Sequence, residues 1–201
     1  MPDPISEVQA KYNDQSAVAR FANRRFFQTI QSITGDLSAA SILDVGCGEG
    51  VPLQMTGIER GSRIVGLDLD APSVLTAQAR LPQAHFLRAN AEVLPFASAS
   101  FDLVLCLETL EHVNHPARAI TELARVSRRY ALISTPNEPW WRIGNMARGK
   151  YWADWGNTPG HINHWSSGAL RRLVDTQFEI IELRRVVLWT FILAERRQSS
   201  G

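Results

Sequence analysis

Short apolar runs alternate with stretches of helical spacing along most of the chain. The runs are SILDV (41–45), RIVGLDL (63–69), AHFLRA (84–89), FDLVLCLE (101–108) and YALIST (130–135). Each is too short for a typical helix and is bounded by polar or glycine-containing sequence, so each predicts a strand, the fourth covered on both faces. Between them, PSVLTAQARL (72–81) is helical, with Pro72 near its start. PARAITELARVS (116–127) turns Ile120, Leu123, Ala124 and Val126 to one side, as a helix does. SSGALRRLVDT (166–176) predicts a further helix capped by Ser166. Ahead of the strands, Val18, Phe21, Ala22, Phe26, Ile30 and Ile33 predict one or two helices ending near Gly35. FEIIELRR and VVLWTFILA read as two closing strands that form a hairpin. The alternation implies an α/β fold, a parallel sheet covered by helices with an antiparallel hairpin added.

One segment breaks the alternation. Residues 136–165 carry Pro136, Pro139, Gly144, Gly149, Gly156, Pro159 and Gly160, which predicts a long irregular insertion. Loops of that length are usually functional or disordered. Composition argues for function: of 6 Trp, only Trp189 lies outside it, the others being Trp140, Trp141, Trp152, Trp155 and Trp165. The expected organisation is one domain over 1–201. It divides into N-terminal helices (1–38), a core (40–135), the insertion (136–165), and a last helix with terminal strands (166–195).

Charge and cysteine content narrow the function classes. With 21 Lys+Arg against 20 Asp+Glu, bulk-charge binding of nucleic acid is excluded. Cys47 and Cys106 form no disulfide framework, so a reducing, cytoplasmic setting is expected. The first residues lack the apolar centre of a signal peptide, and no apolar run approaches the ~18 residues of a membrane span. No membrane partner is expected, and a homodimer is the one assembly left open.

The sharpest local signal is Asp44-Val45-Gly46-Cys47-Gly48-Glu49-Gly50, directly after the first strand. Glycines at alternate positions let the backbone turn tightly and approach a ligand. Asp68, at the end of the second strand, is placed to accept hydrogen bonds from both ribose hydroxyls of a nucleotide-like ligand. The dinucleotide pattern G-x-G-x-x-G fails, because Val51 stands at its sixth position. A carboxylate beside the loop would repel a pyrophosphate. It suits a ligand carrying an ammonium and a sulfonium, which S-adenosylmethionine does.

ILDVGCGEG, IVGLDLD, LRANAEVLPFASASFDLVLC, ETLEHVNHPARAITELARV and ISTPN together resemble the class I S-adenosylmethionine-dependent methyltransferases. The closest branch is the small-molecule one (type 11, ubiquinone-biosynthesis-like). The resemblance covers residues 40–135 well and 160–185 more loosely. It implies a Rossmann-like three-layer sandwich with a mostly parallel seven-stranded sheet. It also implies roles: Asp44, Gly46, Cys47 and Gly48 along the methionine part of the cofactor, Asp68 on the ribose, and Leu69 against the adenine. Asn90, Ala91 and Glu92 would flank the adenine edge, and Leu107 would pass near the methionyl end. Two departures stand out. Asn90 replaces an acidic residue common in the family, and Ser127-Arg128-Arg129 replaces a Lys-Pro-Gly-Gly turn.

Methyl transfer needs an aligned nucleophile, exclusion of water and, for a hydroxyl, a base. Glu108 and His112, four apart, would share one face of a helical turn after the fourth strand. Three readings compete for Glu108, Glu111 and His112: ordering of the loop, a general base at His112, or a divalent-ion site. The reading carried forward holds no metal. His161 and His164, in GHINHW, are further candidates for a base or for orienting substrate. The candidate catalytic set is therefore His112, His161 and His164, with the five clustered tryptophans as walls of an acceptor pocket. Those rings have a second explanation, a small core for the loop itself. Tyr12 is a candidate cofactor lid, and Arg142, Arg148 and Lys150 could meet an anionic acceptor or be solvated. His115 reads as a surface turn residue, and His85, Cys47 and Cys106 as structural. The expected function is methyl transfer to a small-molecule acceptor, O-methylation before N-methylation. A non-catalytic S-adenosylmethionine-binding protein and a nucleotide-dependent oxidoreductase are the alternatives.

Overall fold

The computed structural model describes residues 17–58, 61–138, 140–147, 155, 157–158 and 160–197. Tyr12, Arg148, Lys150 and Trp152, which the sequence offered roles, lie outside them. Seven strands form one sheet: β1 (Ser41–Val45), β2 (Arg63–Asp68), β3 (His85–Arg88), β4 (Phe101–Leu107), β5 (Ser127–Pro136), β6 (Phe178–Val186) and β7 (Trp189–Arg196). Their order is β3-β2-β1-β4-β5-β7-β6. The first five pair in parallel, and β7 runs antiparallel between β5 and β6.

Two-residue alternation along the central strands builds a core on each face. Ile42 of β1 and Leu103 and Leu105 of β4 pack against one layer. That layer contains α1 (Ala17–Thr34), α2 (Val51–Thr56) and the end of α3 (Ala71–Arg80), through Phe26, Ile30, Leu53 and Leu81. Leu43, Val104 and Cys106 face the other layer. There α4 (Pro116–Val126) contributes Ile120 and Leu123, and α6 (Ser167–Asp175) contributes Leu170 and Val174. α1 lies down because Ala19, Ala22, Phe26, Ile30 and Ile33 recur at helical spacing and are all buried. Ser166 caps α6 as expected, accepting from the Ala169 N–H.

Three boundaries differ from the sequence reading. β5 starts at Ser127 rather than residue 130, because Ser127 already pairs with Phe101 across a bulge. Val187, expected inside a strand, lies in the β6–β7 turn with φ +54°. The insertion is not irregular throughout: α5 (Trp140–Ala147) forms inside it. The Trp141 N–H donates to the Asn137 carbonyl, and Gly144 lets the helix approach the hairpin tip, where an added Cβ would sit 3.2 Å from Leu188. Proline and glycine counts hid that helix, which is stabilised by packing rather than by propensity.

Candidate functional site

The strand order reverses between β1 and β4, and in open parallel sheets the crevice beyond the carboxyl ends at such a point binds ligands. The glycine turn lies there. Gly46 and Cys47 both donate their N–H to the Leu67 carbonyl, which ties the loop to β2. Gly46 has φ +75°, and an added Cβ would lie 2.2 Å from Thr109 Oγ1. Thr109 bonds to the Val45 and Leu107 carbonyls, so it latches the ends of β1 and β4 together. Gly46→Ala is expected to cost about 3 kcal/mol, from the left-handed conformation and the clash together. A thermal melt beside Gly48→Ala checks this, since at Gly48 an added Cβ meets nothing within 4 Å.

Asp68 accepts from the Gly48 N–H at 2.8 Å and from the Asp70 N–H at 2.9 Å. Each carboxylate oxygen has a second lone-pair site left for a ribose hydroxyl. Asp44 is only 1% exposed, and its Oδ2 has no hydrogen bond among the described residues. Burial, aided by the Asp68 charge, pushes its carboxyl up to about 7. Leu69 is exposed beyond β2, and the Asn90 side chain accepts from the Glu92 N–H.

Three of the residues expected along the cofactor have their side chains engaged in the fold. Ala91 and Leu107 put their side chains into the two core clusters. Glu92 turns its carboxylate to the His115 N–H at the start of α4. Cys47 and Cys106 are buried, and burial drives both thiols well above the usual range, so neither is a nucleophile.

Past β4 the chain forms a turn, not the helical face expected for Glu108 and His112. Glu108 adopts φ +56° and accepts from Trp189 Nε1 at 2.8 Å. This turn is fastened to residues 160–166. The Ile162 and Asn163 N–H groups donate to the Glu111 carbonyl, and Asn163 Nδ2 donates to the Leu110 and Val113 carbonyls. His112 Nδ1 lies 2.9 Å from the Gly160 carbonyl, which can only accept, so Nδ1 carries the proton. Asn163 went unnoticed in the sequence, although an amide between two histidines is the residue type that staples backbones.

The result is a cluster of Glu111, His112 and His161, each offering one atom within 4.8 Å of the others. The His161 ring meets His112 edge-on at 4.9 Å and stacks on Trp141 at 6.3 Å. His164 stands apart from this cluster, with Nδ1 3.6 Å from Glu138 Oε1. Burial raises the Glu138 carboxyl above the usual range, and His164 and Arg142 draw it back.

Among the described residues, the tryptophans of the insertion do not form one wall. Trp141 is buried between Trp189 and His161, and Trp165 packs on the core. Trp140 and Trp155 are 59% and 74% exposed.

A family model described as a methyltransferase domain matches residues 43–133. Over those residues the chain is similar to a methyltransferase domain. A probable S-adenosylmethionine-dependent methyltransferase of Mycobacterium tuberculosis is 32% identical over 57% of this chain and 42% of its own. A ubiquinone biosynthesis O-methyltransferase of Nitrosomonas europaea is 34% identical over 54% of this chain and 48% of its own. The chain spans about half the length of the curated relatives it matches. Among solved structures, magnesium protoporphyrin IX methyltransferase from Synechocystis, with bound S-adenosylhomocysteine, superposes with TM-score 0.72 at 20% identity. That superposition covers 96% of this chain and 94% of the other.

The glycine loop fits S-adenosylmethionine, the cofactor printed in the names of its relatives. A buried carboxylate oxygen without a partner, at Asp44, suits a cationic ammonium. The open space over Gly48 suits close approach of a ligand, and Asp68 keeps acceptor sites that suit a ribose. When bound, the cofactor supplies an electrophilic methyl group. Asp44, Gly48 and Asp68 would hold it. Among the described residues, no helix is long and apolar enough to cross a membrane.

Proposed function

We propose that this protein transfers the methyl group of S-adenosylmethionine to a hydroxyl of a small-molecule acceptor. The observation that carries the reading is the gathering of three imidazoles, His112 and His161 against Trp141 and His164 against Glu138, in segments that leave β4 and β5 at the cofactor end of the sheet. Imidazoles titrate near neutral pH and can take a hydroxyl proton. The indole beside them supplies an apolar surface for a flat acceptor. Relatives named as O-methyltransferases, of the ubiquinone pathway among others, support oxygen as the accepting atom.

One of His112, His161 and His164 takes the proton in this reading. Replacing the responsible residue by Ala is expected to lower kcat by about 10²–10⁴-fold. The other two replacements are expected to raise KM instead. Affinity for S-adenosylhomocysteine, measured by calorimetry, should stay unchanged in all three. The discriminating assay incubates labelled S-adenosylmethionine with a panel of phenols, hydroxy acids and amines and identifies the methylated atom. Methylation confined to nitrogen overturns the hydroxyl reading, and cofactor binding without turnover on any acceptor favours the non-catalytic alternative. Turnover is expected to be indifferent to chelators. Loss restored by magnesium would instead place a cation among Glu111, His112 and His161.

A further inference from the structure

We propose that Glu138 is a positioning residue of this site, forming with His164 a carboxylate–imidazole dyad in which His164 Nε2 receives the acceptor's proton. This deepens the hydroxyl-acceptor reading and rests on it.

Glu138 stands two residues beyond β5, where the chain leaves the carboxyl end of the sheet. Its side chain is 11% exposed, and its carboxylate lies beside His164 and the Arg142 backbone N–H rather than in open solvent. Two charged groups face it: His164 from the returning loop and Arg142 from α5. The Glu138 N–H donates to the Trp165 carbonyl at 2.8 Å, which closes the two ends of the insertion on each other. That closure brings His164 Nδ1 to 3.6 Å from Oε1. The separation exceeds a hydrogen bond by a few tenths of an ångström, as catalytic pairs often do before their ligands arrive. A small rotation of either side chain makes the bond.

The other two imidazoles are held differently. His112 Nδ1 is bonded to a neutral carbonyl, and His161 is buried with its ring against His112 and Trp141. His164 keeps 40% of its side chain exposed and has a carboxylate behind it. An imidazole with Nδ1–H on a carboxylate presents Nε2 as the acceptor of a proton, and the carboxylate stabilises the imidazolium that forms. His164 Nε2 takes the hydroxyl proton as the acceptor oxygen bonds to the methyl carbon. The carbon–sulfur bonding pair remains on sulfur, which leaves S-adenosylhomocysteine.

The test has an arm that needs no acceptor. Long-range ¹H–¹⁵N spectra of the histidines, with and without S-adenosylhomocysteine, identify His164 by its loss in His164→Gln. The expected state is a proton on Nδ1 and a bare Nε2, kept in Glu138→Asp and replaced by a mixture of tautomers in Glu138→Ala. Ring-nitrogen shifts that are the same in Glu138→Ala overturn the dyad. The kinetic arm uses the compound methylated most rapidly in the acceptor panel. Glu138→Gln should lower kcat about 10–100-fold with KM unchanged, and should have no further effect in a His164→Ala background. An unchanged kcat, or an equal loss in that background, overturns the proposal. Failure to bind S-adenosylhomocysteine would instead overturn the functional reading, while the spectra still report on the dyad.

Discussion

Replacing Asp44 by Asn is expected to stabilise the cofactor-free protein at pH 8 by up to about 4 kcal/mol, and to weaken S-adenosylmethionine binding at least tenfold. The Asp44 carboxyl is wholly buried, and its proton affinity rises from 3.8 to about 7. Those three or so pH units correspond to ~1.4 kcal/mol each. The folded state holds the proton more tightly than the unfolded chain does. The protein is therefore most stable below pH 4 as far as this group is concerned, and it loses that stability as pH rises towards 7. Asn carries no charge to desolvate, so its melting temperature should lack this slope. Binding runs the other way: an ammonium beside Asp44 favours the ionised form, so affinity should fall as pH drops below about 7, approaching tenfold per unit. Calorimetry and thermal melts at pH 5, 6, 7 and 8 measure both trends. An apo Asn variant no more stable than the parent at pH 8 would remove the argument. The exchange of fold stability for a ligand-ready charge is common at binding sites.

Trp189→Ala should be the most damaging single truncation at the junction of hairpin and site, at about 4 kcal/mol. The indole is 3% exposed and meets Phe26 of α1 at 5.0 Å and Trp141 of α5 at 5.6 Å. A protein of this size then melts about 10 °C lower. Trp189→Phe separates packing from hydrogen bonding. It keeps a ring but removes the Nε1–H that holds Glu108, and should cost about 2 kcal/mol. Glu108 sits in a left-handed conformation that strains a residue with a side chain. Losing the indole bond should therefore loosen the post-β4 turn, seen as altered His112 resonances. A Phe variant that leaves those resonances unchanged would show that the bond positions nothing.

The cofactor half of this protein was readable from the chain itself. The glycine turn and Asp68 are local features: a positive φ at Gly46 and a carboxylate at the end of β2 are set by which residue stands at which position. The layers were legible for a similar reason, because the period of apolar positions is a property of each element alone. The acceptor half was not legible. Its geometry depends on bonds between segments about fifty residues apart, such as Asn163 to Leu110 and His112 to Gly160. Spacing four apart placed Glu108 and His112 on one face, but a left-handed turn and the Trp189 indole send Glu108 elsewhere. Counting tryptophans singled out the insertion without showing which rings face inward, since packing buried Trp141 and left Trp140 exposed. Glu138 carried no signal in the sequence, because a lone carboxylate after Pro136 and Asn137 gains meaning only when the returning loop sets His164 beside it. The sequence by itself determined the sheet, the glycine loop and the likeness to methyltransferases. The tertiary structure alone decided which side chains meet beyond β4 and β5, because those meetings are made by long-range contacts that no local pattern encodes.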